Sequence, residues 1–313
     1  MPASAMSLCT EIQVHATEDM MASHRIESFL HKSWDERFVT ARYLVRKSLA
    51  KLPYAVVPVR MKMSQGDEIQ FWWSYVVPYF DQTRGIFDYW GHDLGDLRFL
   101  WKNLQPGMVF LDIGAHHGIY SIVAAKKIGA HGTVVAFEPS SREYRRLHLH
   151  LRMNRLSSVR REPLALGSTA STRTFFQVTS GDTTRGGLQP PASADQVSRI
   201  SVQTARLDDY VSQFPLKRVD LVKLDVEGSE REVLQGASIV LTKFRPIFIC
   251  EVLDATTHAW GYRAREIITK LESFDFQWFE IRLDGSLVLH KIRDCYPEIR
   301  NYVAVPKEKC AIG

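Results

Sequence analysis

The stretch VFLDIGAHHGIYS, Val109 to Ser121, decides the fold. Val109 to Ile113 is an apolar run interrupted only by Asp112, and Gly114 and Gly118 bracket a turn that carries two consecutive histidines, His116 and His117. The segment after the turn, GIYSIVAAKKIG, has helical character. A continuous apolar run reads as a strand buried on both faces, and such strands belong to parallel sheets covered by helices. A strand, a glycine turn and a helix form the opening unit of such a sheet.

On the N-terminal side Pro106-Gly107 breaks the chain just before this unit. On the C-terminal side GTVVAFEP repeats the strand, and SSREYRRLHLHLRMNRL follows as a helix whose Ser140 and Glu143 have the spacing of a capping box. VDLVKLDVEG, SEREVLQGASIVL and RPIFICEVL continue the alternation. The expected fold is therefore α/β, a doubly wound and mostly parallel sheet. A helical pattern around Arg263 to Ser273 precedes FQWFEIRL, SLVLH and NYVAVP, which are expected to add an antiparallel edge, with Asp284-Gly285 as a turn. Within the central region VRREPLALG and TRTFFQVTS read as strands. The Gly-, Pro- and Ser-rich stretch from Ser180 to Gln196 reads as a loop, either a lid or a solvated hairpin tip.

The N-terminal third has a different texture. Ile26, Phe29, Leu30, Phe38, Ala41, Leu44, Val45 and Leu49 have amphipathic helical spacing, and YAVVPVRMKM and EIQFWWSYVVPYF flank a Gln65-Gly66-Asp67 turn. These patterns predict an extension over residues 1–105, a helix and a hairpin placed to cap the substrate, before a main domain over residues 106–313. The aromatic residues Phe71, Trp72, Trp73, Tyr75, Tyr79 and Phe80 read as its docking core, because aromatic side chains bury large areas.

Composition narrows the class. With 313 residues, 45% of them apolar, the chain can bury a sizeable core. The formal net charge of +5 is mildly basic, and the arginines of SREYRRLHLHLRMNR read as the solvated face of a helix, which argues against a nucleic-acid partner. Cys9, Cys250, Cys295 and Cys310 form no C-x-x-C pair, so neither a zinc knuckle nor a disulfide framework is indicated. No run approaches the ~20 apolar residues of a spanning helix, and the first residues lack the basic and apolar blocks of a secretory signal. A cytoplasmic protein without a membrane span is expected.

The turn excludes two familiar chemistries. It lacks the G-x-G-x-x-G of dinucleotide sites and the G-x-x-x-x-G-K-[ST] of phosphate loops. The spacing D-x-G-x-x-x-G suits a nucleoside without a pyrophosphate, held by its ribose and by a cationic sulfonium with an amino-acid tail. Glu138 ends the second strand, 26 residues after Asp112, where a carboxylate can accept both ribose hydroxyls. The competing reading makes Glu138 an acid at a helix N-terminus.

FLDIGAHHGIYS, VVAFEPS, LALGS, VQTARLDDY and LVKLDVEGSEREVLQGA stand in the order and at the spacing of the FkbM-type family of S-adenosylmethionine-dependent methyltransferases, which the chain resembles from about Gly107 to Arg282. The family usually has Asn where this chain has His116. The resemblance implies a Rossmann-like sheet and S-adenosyl-L-methionine as cofactor. It places the methionine portion against Asp112, Gly114, Ala115, His117 and Gly118, the ribose against Glu138 and Pro139, and adenine beside Ala165 and Leu166. Asp225 and Glu227 would line the reaction cleft, Asp225 touching the cofactor as well. It further implies O-methylation of a hydroxyl on a small molecule or glycan.

Such a transfer needs alignment and a group to receive the hydroxyl proton. Asp225, Glu227 and His116 are the foremost candidates, with His117 and Glu251 behind them. Asp225 and Glu227 also offer hard oxygens to a divalent metal, although no dense ligand cluster points to one and no metal residue is assigned. Methylation of RNA or protein and a non-catalytic cofactor-binding scaffold are the competing functions. DVEG stands where amino-directed nucleic-acid methyltransferases carry N/D-P-P-Y/F, which argues against base methylation, and the intact turn argues against a scaffold.

Overall fold

The computed structural model describes residues 56–74, 86–179, 183–191 and 196–310, all in one compact unit that begins at Val56. The helix expected around Met20 to Leu52 and the segment Tyr75 to Phe80 lie outside the described residues. The unit opens with a hairpin, β1 (Val56–Ser64) and β2 (Asp67–Ser74), paired antiparallel around Gln65-Gly66. Helix α1 (Ile86–Asn103) follows. The alternation then runs β3 (Val109–Ile113), α2 (Ile119–Ile128), β4 (Thr133–Phe137), α3 (Ser141–Met153) and β5 (Arg160–Glu162). Next come β6 (Leu164–Leu166), β7 (Ser171–Val178), β8 (Val197–Ala205) and α4 (Leu207–Gln213). The last part contains β9 (Leu221–Leu224), α5 (Glu230–Gln235), β10 (Ile247–Glu251), α6 (Arg265–Glu272), β11 (Phe276–Ile281), β12 (Leu287–Leu289) and β13 (Asn301–Pro306).

Eight strands form the main sheet in the order β12-β11-β13-β10-β9-β3-β4-β5. The five from β10 to β5 are parallel, and β13, β11 and β12 add an antiparallel edge. This is the expected doubly wound sheet with an antiparallel margin. Winding proceeds from β3 outward through β4 to β5, then returns to β9 on the other side of β3. The reversal between β3 and β9 makes the crevice at their carboxyl ends the place where such sheets bind ligands. All five residues of β3 and all four of β9 are buried, which explains their nearly unbroken apolar sequence.

A second sheet of three strands, β6-β8-β7, departs from the main one after β5. Strands β7 and β8 form a long antiparallel hairpin whose connection carries the Ser180 to Gln196 stretch. The described part of that stretch folds back onto the hairpin. Phe176 and Gly187 exchange backbone hydrogen bonds, and Leu188 is buried with Ala165, Phe175 and Val202. This packing removes the solvated-tip reading for Leu188.

The boundary expected at residue 105 moves. Met61, Met63, Ile69, Phe71 and Trp73 of the hairpin and Leu97, Phe99 and Leu100 of α1 are buried, so the unit holding the sheet starts some fifty residues earlier, at Val56. Helix α1 has no counterpart among the expected elements, because Gly91 and Gly95 lower helix propensity. Gly95 is there for packing: a Cβ would stand 2.7 Å from the Arg282 carbonyl oxygen, against which the helix lies. With α1 laid against it, α2 is buried at Tyr120 to Ala125 and at Ile128. Among the described residues no helix is long and apolar enough to cross a membrane.

Candidate active site

A cavity of about 120 Å³ opens at the carboxyl ends of β3, β4 and β9, roofed by Thr184, Gly186, Gly187 and Leu188. Of the residues singled out in the sequence, Gly114, His116, Glu138, Pro139, Ala165, Leu166, Asp225 and Glu227 line it. The turn that gathers them is built from backbone in the left-handed region: φ is 85° at Gly114, 46° at His116 and 86° at Gly118. Gly114 is dictated by contact as well, since a Cβ there would collide with the Asp225 carbonyl oxygen, where the turns after β3 and β9 pass each other. Positive φ at His116 is the conformation that Asn accepts most readily after glycine, which accounts for the asparagine usual at this place.

Glu138 is 5% exposed and is held by two backbone amides, His116 N–H at 2.9 Å on Oε2 and Ser140 N–H at 2.8 Å on Oε1. Burial pushes its carboxyl up to about 8 despite these bonds. Each oxygen keeps a lone pair for a further donor. Phe137, Ala165 and Leu166 supply an apolar wall beside it.

Asp112, Ala115, His117 and Gly118 were expected at the cofactor, and none of them lines this cavity. Asp112 is 1% exposed and accepts the Ser121 hydroxyl at 2.5 Å, with burial raising its carboxyl to about 6. Ala115 and Gly118 serve the turn through backbone bonds: Ala115 N–H to Phe137 O at 2.9 Å and Gly118 N–H to Ala115 O at 2.7 Å. A Cβ on Gly118 would strike Leu147. His117 turns inward to Glu143, its Nε2 2.6 Å from Oε2, and burial holds its imidazole well below the usual histidine range.

Glu143 is a central residue that the sequence pattern misassigns. Ser140 caps the helix as expected, accepting the Glu143 N–H. The reciprocal half of the capping box is missing, because the Glu143 carboxylate faces Arg142 Nε at 2.5 Å, Arg146 Nη1 at 2.8 Å and the two histidines, while Ser140 N–H goes to Glu138. Burial opposes ionisation of Glu143, yet the His117 hydrogen bond and the neighbouring positive groups hold it well below the usual carboxylate range. Among the described residues, His116, His117 and Glu143 are the cluster whose donor atoms lie close enough for a metal, within 4.8 Å. The two imidazoles stack at 3.7 Å and 23°, so their lone pairs run side by side, and Arg146 Nη1 already fills the space 3.3 Å from His117 Nε2. This is an ion-pair network that does not suit a metal.

At the other end of the cavity, Asp225 accepts Lys223 Nζ at 2.8 Å. Lys223 is 1% exposed, and its Nζ also donates to Asn301 Oδ1 at 2.8 Å. Glu227 sits at φ 52° with Gly187 over its Cβ, 3.3 Å from where a side chain on that glycine would begin. Glu251 lies outside the cavity lining, 8% exposed, with Oε2 lacking a hydrogen-bond partner among the described residues. Burial, together with the charges of Asp225, Glu227 and Glu230, raises its carboxyl well above the usual range.

A crevice at the strand reversal, with an acid on the second strand and a left-handed glycine turn on the first, stands where doubly wound α/β sheets bind their ligands. The model of the methyltransferase FkbM domain matches residues 112–278, more than half of the chain, and the chain belongs to that family. The 2-O-methyltransferase NoeI of Sinorhizobium fredii is 35% identical over 95 residues, 30% of this chain and 39% of that protein. The 31-O-demethyl-FK506 methyltransferase FkbM of Streptomyces tacrolimicus is 28% identical over 163 residues, 42% of this chain and 60% of that one. The chain thus spans less than two thirds of the length of these relatives. Among solved structures, the O-methyltransferase TomG of Streptomyces achromogenes, in complex with SAM, gives 12% identity and a TM-score of 0.39 over 69% of this chain and 78% of that one.

Proposed function

We propose that the chain is an S-adenosylmethionine-dependent methyltransferase that methylates a hydroxyl oxygen of a small molecule or glycan. The observation that carries this reading is Glu138: a buried carboxyl group at the mouth of β4, oriented by two backbone amides, beside a turn whose left-handed backbone brings Gly114 and His116 to the same cavity. The names of the relatives, a 2-O- and a 31-O-directed methyltransferase, support oxygen as the acceptor atom.

The cofactor supplies an already activated methyl group on a sulfonium, so the protein's work is alignment and proton removal. Glu138 would hold the ribose through its hydroxyls, and Phe137, Ala165 and Leu166, which line the same wall, would flank the base. Asp225 and Glu227 flank the end of β9 in the same cavity, where they orient the acceptor hydroxyl and receive its proton. Their negative charge also favours a cationic donor. Lys223 fixes one Asp225 oxygen and leaves the other to the cavity. His116 lines the same wall, and its imidazole is directed to Glu143, 3.7 Å away, which favours a turn-forming role over proton removal.

A screen of metabolite and glycan hydroxyl acceptors with methyl-labelled donor tests the reading. Label transferred to an oxygen is the expected result. Transfer confined to nitrogen, or to RNA or protein added as competitor, would overturn the acceptor assignment.

A further inference from the structure

His150 is 2% exposed on the buried side of α3, and no reading of the sequence gives it a role. Its Nδ1 lies 2.8 Å from the His117 carbonyl oxygen. A carbonyl only accepts, so Nδ1 carries the hydrogen. That carbonyl belongs to the peptide joining His117 to Gly118, whose N–H donates to Ala115 O at 2.7 Å. Both polar ends of this peptide are therefore fixed, in a turn where three residues out of five adopt positive φ. A face of the His150 ring stacks on Trp73 of the hairpin, with ring centroids 3.9 Å apart and planes 18° off parallel. The hairpin itself is locked to the end of α3: Trp72 N–H donates to Asn154 Oδ1 and Asn154 Nδ2 donates to Trp72 O, both at 2.8 Å.

We infer that His150 is a positioning residue of the donor site: its Nδ1–H holds the His117-Gly118 peptide in the orientation that presents the turn to the cofactor, and Trp73 holds His150. This rests on the donor reading of the cavity proposed above. Glu138 fixes the peptide on one side of the His116 residue and His150 fixes the peptide beyond it, so the turn is clamped from the sheet and from the helix layer together. A turn rich in left-handed backbone has alternative peptide orientations within reach, and a clamp selects one of them.

The test is a calorimetric titration of S-adenosylhomocysteine into the full chain and into His150→Asn, His150→Gln and His150→Leu, with thermal unfolding of each. The amide N–H of Asn reaches the position of Nδ1, whereas that of Gln lies further out. All three variants lose the Trp73 stack and should unfold at lower temperature. His150→Asn should bind within about twofold of the parent, and His150→Gln and His150→Leu roughly tenfold more weakly, the scale of one buried hydrogen bond. Should the Leu variant not fold, the Asn and Gln pair decides by itself. His150→Gln binding as tightly as the parent, or His150→Asn as weakly as His150→Gln, would overturn the inference while leaving the donor reading intact. A parent chain that binds no S-adenosylhomocysteine would overturn the donor reading and the inference with it.

Discussion

Lys223 shows how one residue sets the electrostatics of the whole crevice. It is the buried cation among carboxylates from three strand ends: it pairs with Asp225, and its charge acts on Asp112 and Glu251. Nothing in VDLVKLDVEG announces this, because its partners Asn301, Asp112 and Glu251 are far away in sequence. Lys223→Met should destabilise the fold by about 1–2 kcal/mol in urea denaturation, since the hydrogen bonds to Asp225 and Asn301 are lost while Asp225, 34% exposed, is taken up by water. The proposed roles at the cavity separate by kinetics. His116→Asn should keep most activity, as Asn tolerates the 46° φ, whereas Asp225→Asn or Glu227→Gln should lose about 10²-fold in turnover. Initial rates with a responsive acceptor measure this, and a collapse confined to His116→Asn would reverse the assignment. The place of Glu138 in the cavity wall was legible because the acid directly follows the apolar strand VVAF. Glu143 and His150 were not, since their roles depend on which face of α3 meets the turn.

At the scale of elements, the strands and helices of the main sheet follow from periodicity, whereas the places where two turns touch do not. Gly107 and Gly114 have nearly equal φ, 83° and 85°, yet a Cβ on Gly107 meets nothing within 4 Å and one on Gly114 meets Asp225 backbone. Gly107→Ala should therefore cost only its backbone strain, about 1 kcal/mol, and Gly114→Ala at least about 3 kcal/mol, since the β3 and β9 turns must also part. Thermal unfolding of both variants checks the contrast, and equal losses would mean that the two turns do not need their close approach. Helix α1 and the three-stranded sheet were harder to read for the same reason. Gly95 weakens the local helical signal to serve a contact with Arg282, and β8, mostly exposed or half-buried along VSRISVQTA, shows no core pattern until β6 and β7 flank it.

Across the whole molecule, acids buried at the strand ends make stability depend on pH in an unusual sense. Burial raises Asp112 to about 6, Glu230 to about 7 and Glu138 to about 8, so the folded chain holds protons that the unfolded chain releases near pH 4. Their contribution is fully present below the unfolded values and is lost as pH rises through the folded ones, at about 1.4 kcal/mol per group for each pH unit crossed. Glu143 acts in the opposite sense: its stabilisation is present above its ordinary value and is lost as pH falls. His117, held neutral by burial, opposes the decline by one group below about pH 6.5, so stability should be greatest near pH 4 to 5 and decline toward pH 8, which urea midpoints from pH 4 to 8 would show; a rising midpoint from pH 6 to 8 would contradict it. Ribose hydroxyls donate to an ionised Glu138, so the stabilisation by donor should grow over the same interval.

The central claim is that Glu138 receives the ribose of a bound S-adenosyl group, and calorimetry of S-adenosylmethionine binding to the parent chain and to Glu138→Ala tests it most directly. At pH 8.5, above the value of about 8 to which burial raises Glu138, the parent should bind one equivalent, and the folded variant should bind more weakly by about 1.5–3 kcal/mol, from roughly tenfold to 150-fold, because bonds to a charged acceptor are lost. A Glu138→Ala protein that folds and binds with the parent's affinity would contradict the account.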